Sequence, residues 1–285
     1  MAPGAGHRHP VRAMSAFAFQ GKKVYYETVG EGKPLLLLNG IMMSTRSWAP
    51  FLDAFQQGGN RLILVDLLDQ GQSEAMDGPF GLPLQAEMLD ALLEALGVAK
   101  TAVFGTSYGG EVALNLAVRY PGRVSRLALA NTVARTNAWL KEIGDAWVLA
   151  AGNPLAYYST TIPVIYSPDF YDRRADWMSR RKELLTQTAF NDPGFLSRME
   201  RLTRSAEAHD VSAQLHEIDC PVLLVSSEQD HVTPVEEQVF MRERIKGAQH
   251  VILPKTGHAA FYERPDLFSA ILMGFVNHGE PIVLP

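Results

Sequence analysis

Only one cysteine, Cys220, occurs in 285 residues, so no internal disulfide can form and nothing points to an oxidising compartment. No apolar run is long enough to cross a membrane. Residues 1–14 carry Arg8 and Arg12 but no apolar stretch behind them, so they do not read as a secretory signal. Rich in Gly, Pro and His, they are expected to form a disordered tail. A large excess of one charge is also missing. The net charge is −5, which gives nucleic acid no footing. The expected partner is a small molecule and the expected location the cytoplasm. Nothing in the sequence sets an oligomeric state.

What is present is apolar sequence, 47% of the chain, enough for one large core plus an insertion. Residues 17–19 and 23–29 read as a β-hairpin about Gly21. Continuous apolar runs at 35–38, 62–65, 101–104, 124–130 and 221–227 suit strands buried on both faces of a parallel sheet, and 250–253 reads as the last strand. Helical spacing alternates with them: Trp48, Phe51, Leu52 and Phe55 predict a helix over 45–57, and further helices are expected at 84–96, 111–120 and 265–277. This alternation argues a doubly wound, mostly parallel α/β sheet. The rhythm breaks between Val133 and Asp210, where no buried strand is found. Three of the four tryptophans lie there, with helical spacing clearest at 137–151 and 175–188. An insertion at that point sits over the carboxyl ends of the strands, where such sheets bind ligands. The expected organisation is a core of 15–132 and 213–285 with a helical cap at 133–212.

The stretch Gly105-Thr106-Ser107-Tyr108-Gly109 carries the chemistry. A strand ends at a glycine, a serine sits at the apex, and a helix begins after Gly110. Glycines let strand and helix pass close together, and the sharp turn presents the hydroxyl at the top of the sheet. A serine needs a base, and the base an orienting acid. Asp230 follows the next core strand and His258 the last, so Ser107, Asp230 and His258 are the candidate catalytic residues. Glu228 is the alternative acid, two residues too early to reach the loop. His250 reads as a core histidine, His231 as a surface one, and His209 and His216 as solvated. Asp66 is expected to cap the following loop through backbone N–H groups. The N–H groups of Ile41 and Tyr108 are the candidate oxyanion donors. Asn39, Met42 and Trp139 are the candidate substrate contacts. No cofactor and no metal are expected.

These residues resemble the α/β-hydrolase superfamily from about Val24 to Val276. The resemblance rests on the serine turn, Asn39-Gly40, the loop from Asp66 to Ser73, Asp230 and Gly257-His258. It implies an α/β-hydrolase fold and cleavage of a carboxylic ester or thioester by a serine. Serine where dehalogenases and epoxide hydrolases have aspartate argues against both of those reactions, while C–C hydrolysis and perhydrolysis share the triad. The family commonly shows His-Gly at the first turn and an arginine after the second strand. Here Asn39-Gly40-Ile41-Met42 and Gly71-Gln72-Ser73 are similar instead to the branch that contains the acyltransferase of rhamnolipid synthesis. That resemblance implies acyl transfer from 3-hydroxyacyl carrier thioesters. Arg173, Arg174, Arg180, Arg181 and Lys182 would then dock an acyl carrier protein, although such a run more commonly forms a solvated helix face. A ligand-binding protein with a weak triad on the same scaffold is the third alternative.

Overall fold

A computed structural model describes residues 12–278. Strands β1 (Arg12–Phe19) and β2 (Lys22–Val29) form the expected hairpin, turned by Gln20 and Gly21 at positive φ. Then come β3 (Lys33–Leu38), α1 (Leu52–Gln57), β4 (Asn60–Val65), α2 (Leu82–Ala95), β5 (Thr101–Thr106), α3 (Tyr108–Arg119) and β6 (Val124–Ala130). Five helices follow: α4 (Ala138–Ala150), α5 (Pro154–Thr161), α6 (Pro168–Arg173), α7 (Ala175–Gln187) and α8 (Pro193–Ser205). The chain closes with β7 (Val222–Ser227), α9 (Val235–Arg242), β8 (Gln249–Leu253), α10 (Ala260–Glu263) and α11 (Pro265–His278). The eight strands form one sheet in the order β1-β2-β4-β3-β5-β6-β7-β8, parallel from β4 to β8. β2 joins both of its neighbours antiparallel.

The apolar runs are central strands because both faces of the sheet are covered. Leu36 and Leu38 of β3 join Val103, Leu127 and Leu224 beneath α2 and α3, while Leu35 and Leu37 join Phe104, Trp48 and Phe55 on the α11 side. Alternate side chains thus enter opposite cores, as a period of two requires.

Two expectations needed adjustment. The helix over 45–57 is split, with residues 45–51 winding as a tight 3-10 segment around Pro50 before α1 begins. Proline lacks the amide that an α-helical ladder would use there. The expected tail of 1–14 is met differently at its end: Arg12, Ala13 and Met14 pair with Val29, Thr28 and Glu27. Residues 1–11 of that tail lie outside the described residues.

Candidate active site

The turn between β5 and α3 is tight because three glycines make room. A Cβ on Gly105 would lie 2.3 Å from the Gly109 carbonyl oxygen, and one on Gly109 would lie 2.5 Å from that of Leu38. Ser107 at the apex has φ 52° and ψ −125°, a strained conformation for a residue with a side chain. Four hydrogen bonds hold it there. Its N–H donates to Ala130 O (2.9 Å), and its carbonyl accepts from Gly110 N, Glu111 N and Thr132 Oγ1.

The later loops bring the partners. Ser107 Oγ lies 2.9 Å from His258 Nε2, and His258 Nδ1 lies 2.7 Å from Asp230 Oδ2. Nδ1 faces two oxygens, Asp230 Oδ2 and, at 3.4 Å, Thr233 Oγ1. The proton therefore belongs on Nδ1, which leaves Nε2 to accept from the serine. Asp230 is oriented in turn by the amides of Val232 and Thr233, both at 2.8 Å, and by the Thr233 hydroxyl at 2.9 Å. Asn131, at the end of β6, donates to the His258 carbonyl at 2.7 Å. The helical segment braces the same loop: Ala259 N–H donates to Ile165 O, and Glu263 accepts from the amides of Gly257 and Ser167. A Cβ on Gly257 would lie 2.5 Å from Ser167 N, so glycine permits that approach.

The other sequence candidates divide. The N–H groups of Ile41 and Tyr108 make no hydrogen bond among the described residues, and both residues line the cavity at Ser107. Met42 lines that space too. Asn39 does not face substrate. It is fully buried, accepting from Trp48 Nε1 at 2.7 Å and donating to Val65 O at 2.8 Å and Gln70 Oε1 at 3.2 Å. Gln70 in turn donates to the Gly40 carbonyl at 3.0 Å. The two departures from the family pattern are one network that fixes the loop bearing Ile41. Trp139 is 55% exposed and bonds the His231 carbonyl at the outer edge, away from the cavity. Asp66 accepts from Thr45 N (2.6 Å) and Gln72 N (2.8 Å); burial pushes its pKa up, and these bonds offset only part of that rise. Glu228 is exposed and caps Lys255 N.

His231 and His216 are exposed, and His250 is half-buried beside Ser226 Oγ at 2.6 Å. His209, expected to be solvated, is buried. It lies 3.2 Å from both Asn115 Nδ2 and Val133 O, and burial lowers its pKa to about 4. The residues after α8 fold back onto α3, which its local sequence does not reveal.

Two cavities meet at Ile41, Ser107 and Trp147. The first adds Glu111, Leu140, Ile143 and Val232; the second adds His258, Phe261, Tyr262 and Arg181. Arg181 leaves the basic run and turns inward over the Trp177 and Tyr262 rings, at 5.3 and 5.4 Å, its buried Nε without a partner. Glu111 and Trp147 carried no assigned role in the sequence, and Arg181 was read only as part of the basic run. Only the position of Glu111, one helical turn after Ser107, was a usable signal.

The fold and this serine turn define an α/β hydrolase: residues 33–265 match the model of the alpha/beta hydrolase fold family, and the chain belongs to it. Among solved structures it is similar to MGS-M2, an alpha/beta hydrolase enzyme from a Medee basin deep-sea metagenome library. The two are 44% identical with a TM-score of 0.90, over 95% of this chain and 99% of that one. Among curated relatives it is 28% identical over 254 residues to RutD of Azorhizobium caulinodans, provisionally named a carbamate hydrolase; the match covers 88% of this chain and 94% of that protein. It is also 26% identical to a pimeloyl-acyl-carrier-protein methyl ester esterase of Nitrosomonas europaea, over 86% of this chain and 96% of that protein. Among the described residues no helix is long and apolar enough to cross a membrane, and no cluster of metal-ligating side chains occurs.

Proposed function

We propose that the chain is a serine hydrolase of carboxylesterase type that cleaves an ester or thioester through an acyl-enzyme on Ser107. The observation that carries this reading is the unbroken hydrogen-bonded series from Ser107 Oγ to His258 to Asp230. His258 Nε2 takes the serine proton as Oγ attacks the acyl carbon. Asp230 stabilises the imidazolium that forms. The carbonyl oxygen becomes an oxyanion held by the Ile41 and Tyr108 N–H groups, the latter at the N-terminus of α3 where the helix dipole assists. His258 then returns the proton to the leaving oxygen or sulfur, and a water repeats the cycle to free the acid. Residues 133–212 act as the cap over this chemistry. Arg181 directs the second cavity toward an acyl chain that carries a carboxylate.

The acyl-transfer alternative loses its substrate-facing feature, because Asn39 is a buried strut. Arg173, Arg174, Arg180 and Lys182 remain exposed on the cap, with Arg173 paired to Asp169. A carrier-bound acyl chain therefore stays within the ester and thioester class proposed here. Removal of Ser107 tests the reading. Ser107→Ala is expected to abolish fluorophosphonate labelling and to lower turnover of p-nitrophenyl butyrate by about 10³-fold or more. A variant that kept the parent rate would overturn it.

A further inference from the structure

Glu111 lies one turn after Ser107 on α3, and side chains at that spacing stand about 5–6 Å apart. It is 5% exposed and lines the cavity that Ser107 opens into. Other buried acids here have donors. Asp66 has two amides, Asp69 is paired with Arg201, and Asp230 has Thr233 and His258. The Glu111 carboxyl has none: Oε2 is buried without a partner, and no hydrogen bond or charge offsets its desolvation. A buried polar group left unpaired is destabilising, so the site is built for a missing partner. The surrounding wall is Leu140, Ile143, Trp147 and Val232, which suits an apolar chain with one polar substituent.

We propose that Glu111 is a specificity-determining residue that, as a neutral carboxylic acid, donates a hydrogen bond to an acceptor oxygen on the substrate. That oxygen is a ketone or ether oxygen a few bonds from the scissile ester, which makes the substrate class oxygen-substituted acyl or alkoxy esters. The proposal rests on the hydrolase reading above.

The charges around the site favour a neutral acid over a cation site. Lys141 of α4 lines the same cavity and would repel a cationic substrate, while its charge does not offset the desolvation of the Glu111 carboxyl. Glu207, after α8, is held by Arg204, which also binds Asp145. Tyr108, beside Glu111 on α3, is occupied by Ser205 and Gln85. His209 is held neutral by burial. Desolvation alone raises the Glu111 pKa, to about 8, so the acid carries its proton at neutral pH. Above that it can only accept, and it would repel the lone pairs it had bound.

The test compares p-nitrophenyl levulinate with p-nitrophenyl pentanoate, and methoxyethyl butyrate with butyl butyrate, in the parent, Glu111→Gln and Glu111→Leu. At neutral pH the parent is expected to favour the oxygen-bearing member of one pair by about tenfold in kcat/KM, through KM. That preference should fade above about pH 8. Glu111→Gln should keep it, since an amide N–H still donates, and should lose the alkaline decline. Glu111→Leu should erase it. No preference in either pair, a Gln variant as indifferent as the Leu variant, or a stronger preference for an ammonium-bearing ester would each overturn the proposal. Calorimetric binding of the same esters to Ser107→Ala reads the preference without turnover. A panel that is never hydrolysed thus sinks the hydrolase reading, while the ratio of Kd values still decides the role of Glu111.

Discussion

The two cavities that meet at Ser107 share apolar walls but differ in their polar ends. One holds Arg181, a cation laid across the Trp177 and Tyr262 rings and open toward His258. The other holds Glu111, an acid shut in by leucine, isoleucine and tryptophan. A guanidinium tolerates such a site because aromatic faces and residual water share its charge. A carboxyl has no such support and keeps its proton instead. The two sides of Ser107 thus differ: a half-buried fixed charge on one and a fully buried carboxyl on the other.

That contrast can be broken from either side. The largest expected effect is on stability. The raised pKa of Glu111 means its contribution to folding is full below about pH 4.5, where the carboxyl is protonated folded or unfolded, and falls as pH rises toward 8. Glu111→Gln should therefore stabilise the protein by roughly 3–5 kcal/mol more at pH 8 than at pH 4.5, read by denaturant melts at both values. Equal effects at both would mean the carboxyl has a counter-charge.

His209 is the control, since it is buried against the same helix but has two partners. Its lowered pKa makes stability full above pH 6.5 and reduces it as pH falls toward 4. His209→Gln should flatten that acid limb, worth roughly 2–3 kcal/mol, in melts at pH 7 and 4. On the cation side, Arg181→Met should raise KM for carboxylate-bearing esters by about 10- to 100-fold and spare methyl-ended ones. Steady-state kinetics on a matched pair decides this; equal losses would make Arg181 a packing residue. Trp139→Ala should change KM less than about twofold in the same assay, because its ring lies outside both cavities.

Much of the fold was legible because its signals are local. β6 occupies the residues its apolar run predicted, and α4 and α7 lie within a residue of their expected bounds. The turn at Ser107 was legible for the same reason, since glycine spacing writes the close approach into five residues. Asp230 and His258 could be named because each follows a strand whose position in the sheet the alternation already implied. Asn39 and Trp139 could not be placed, because facing substrate or facing the core depends on neighbours far along the chain. Asn39 meets Trp48, Val65 and Gln70, and Trp139 meets His231. His209 was misread for the same reason.

The sequence by itself determined the order of strands and helices, the strained serine turn and the chain order of serine, acid and base. These follow from periodicity, from glycine's missing Cβ and from strand ends, all properties of short segments. Only the tertiary structure decided which side chains line the space around Ser107. Arg181 and Arg180 are adjacent in a basic run, yet one turns under the helices and the other to solvent. Glu111 reads as an ordinary residue of a helix until the packing of α4 and the residues after α8 closes over it. Burial is a sum over distant contacts, and it is burial that sets which groups face the serine turn.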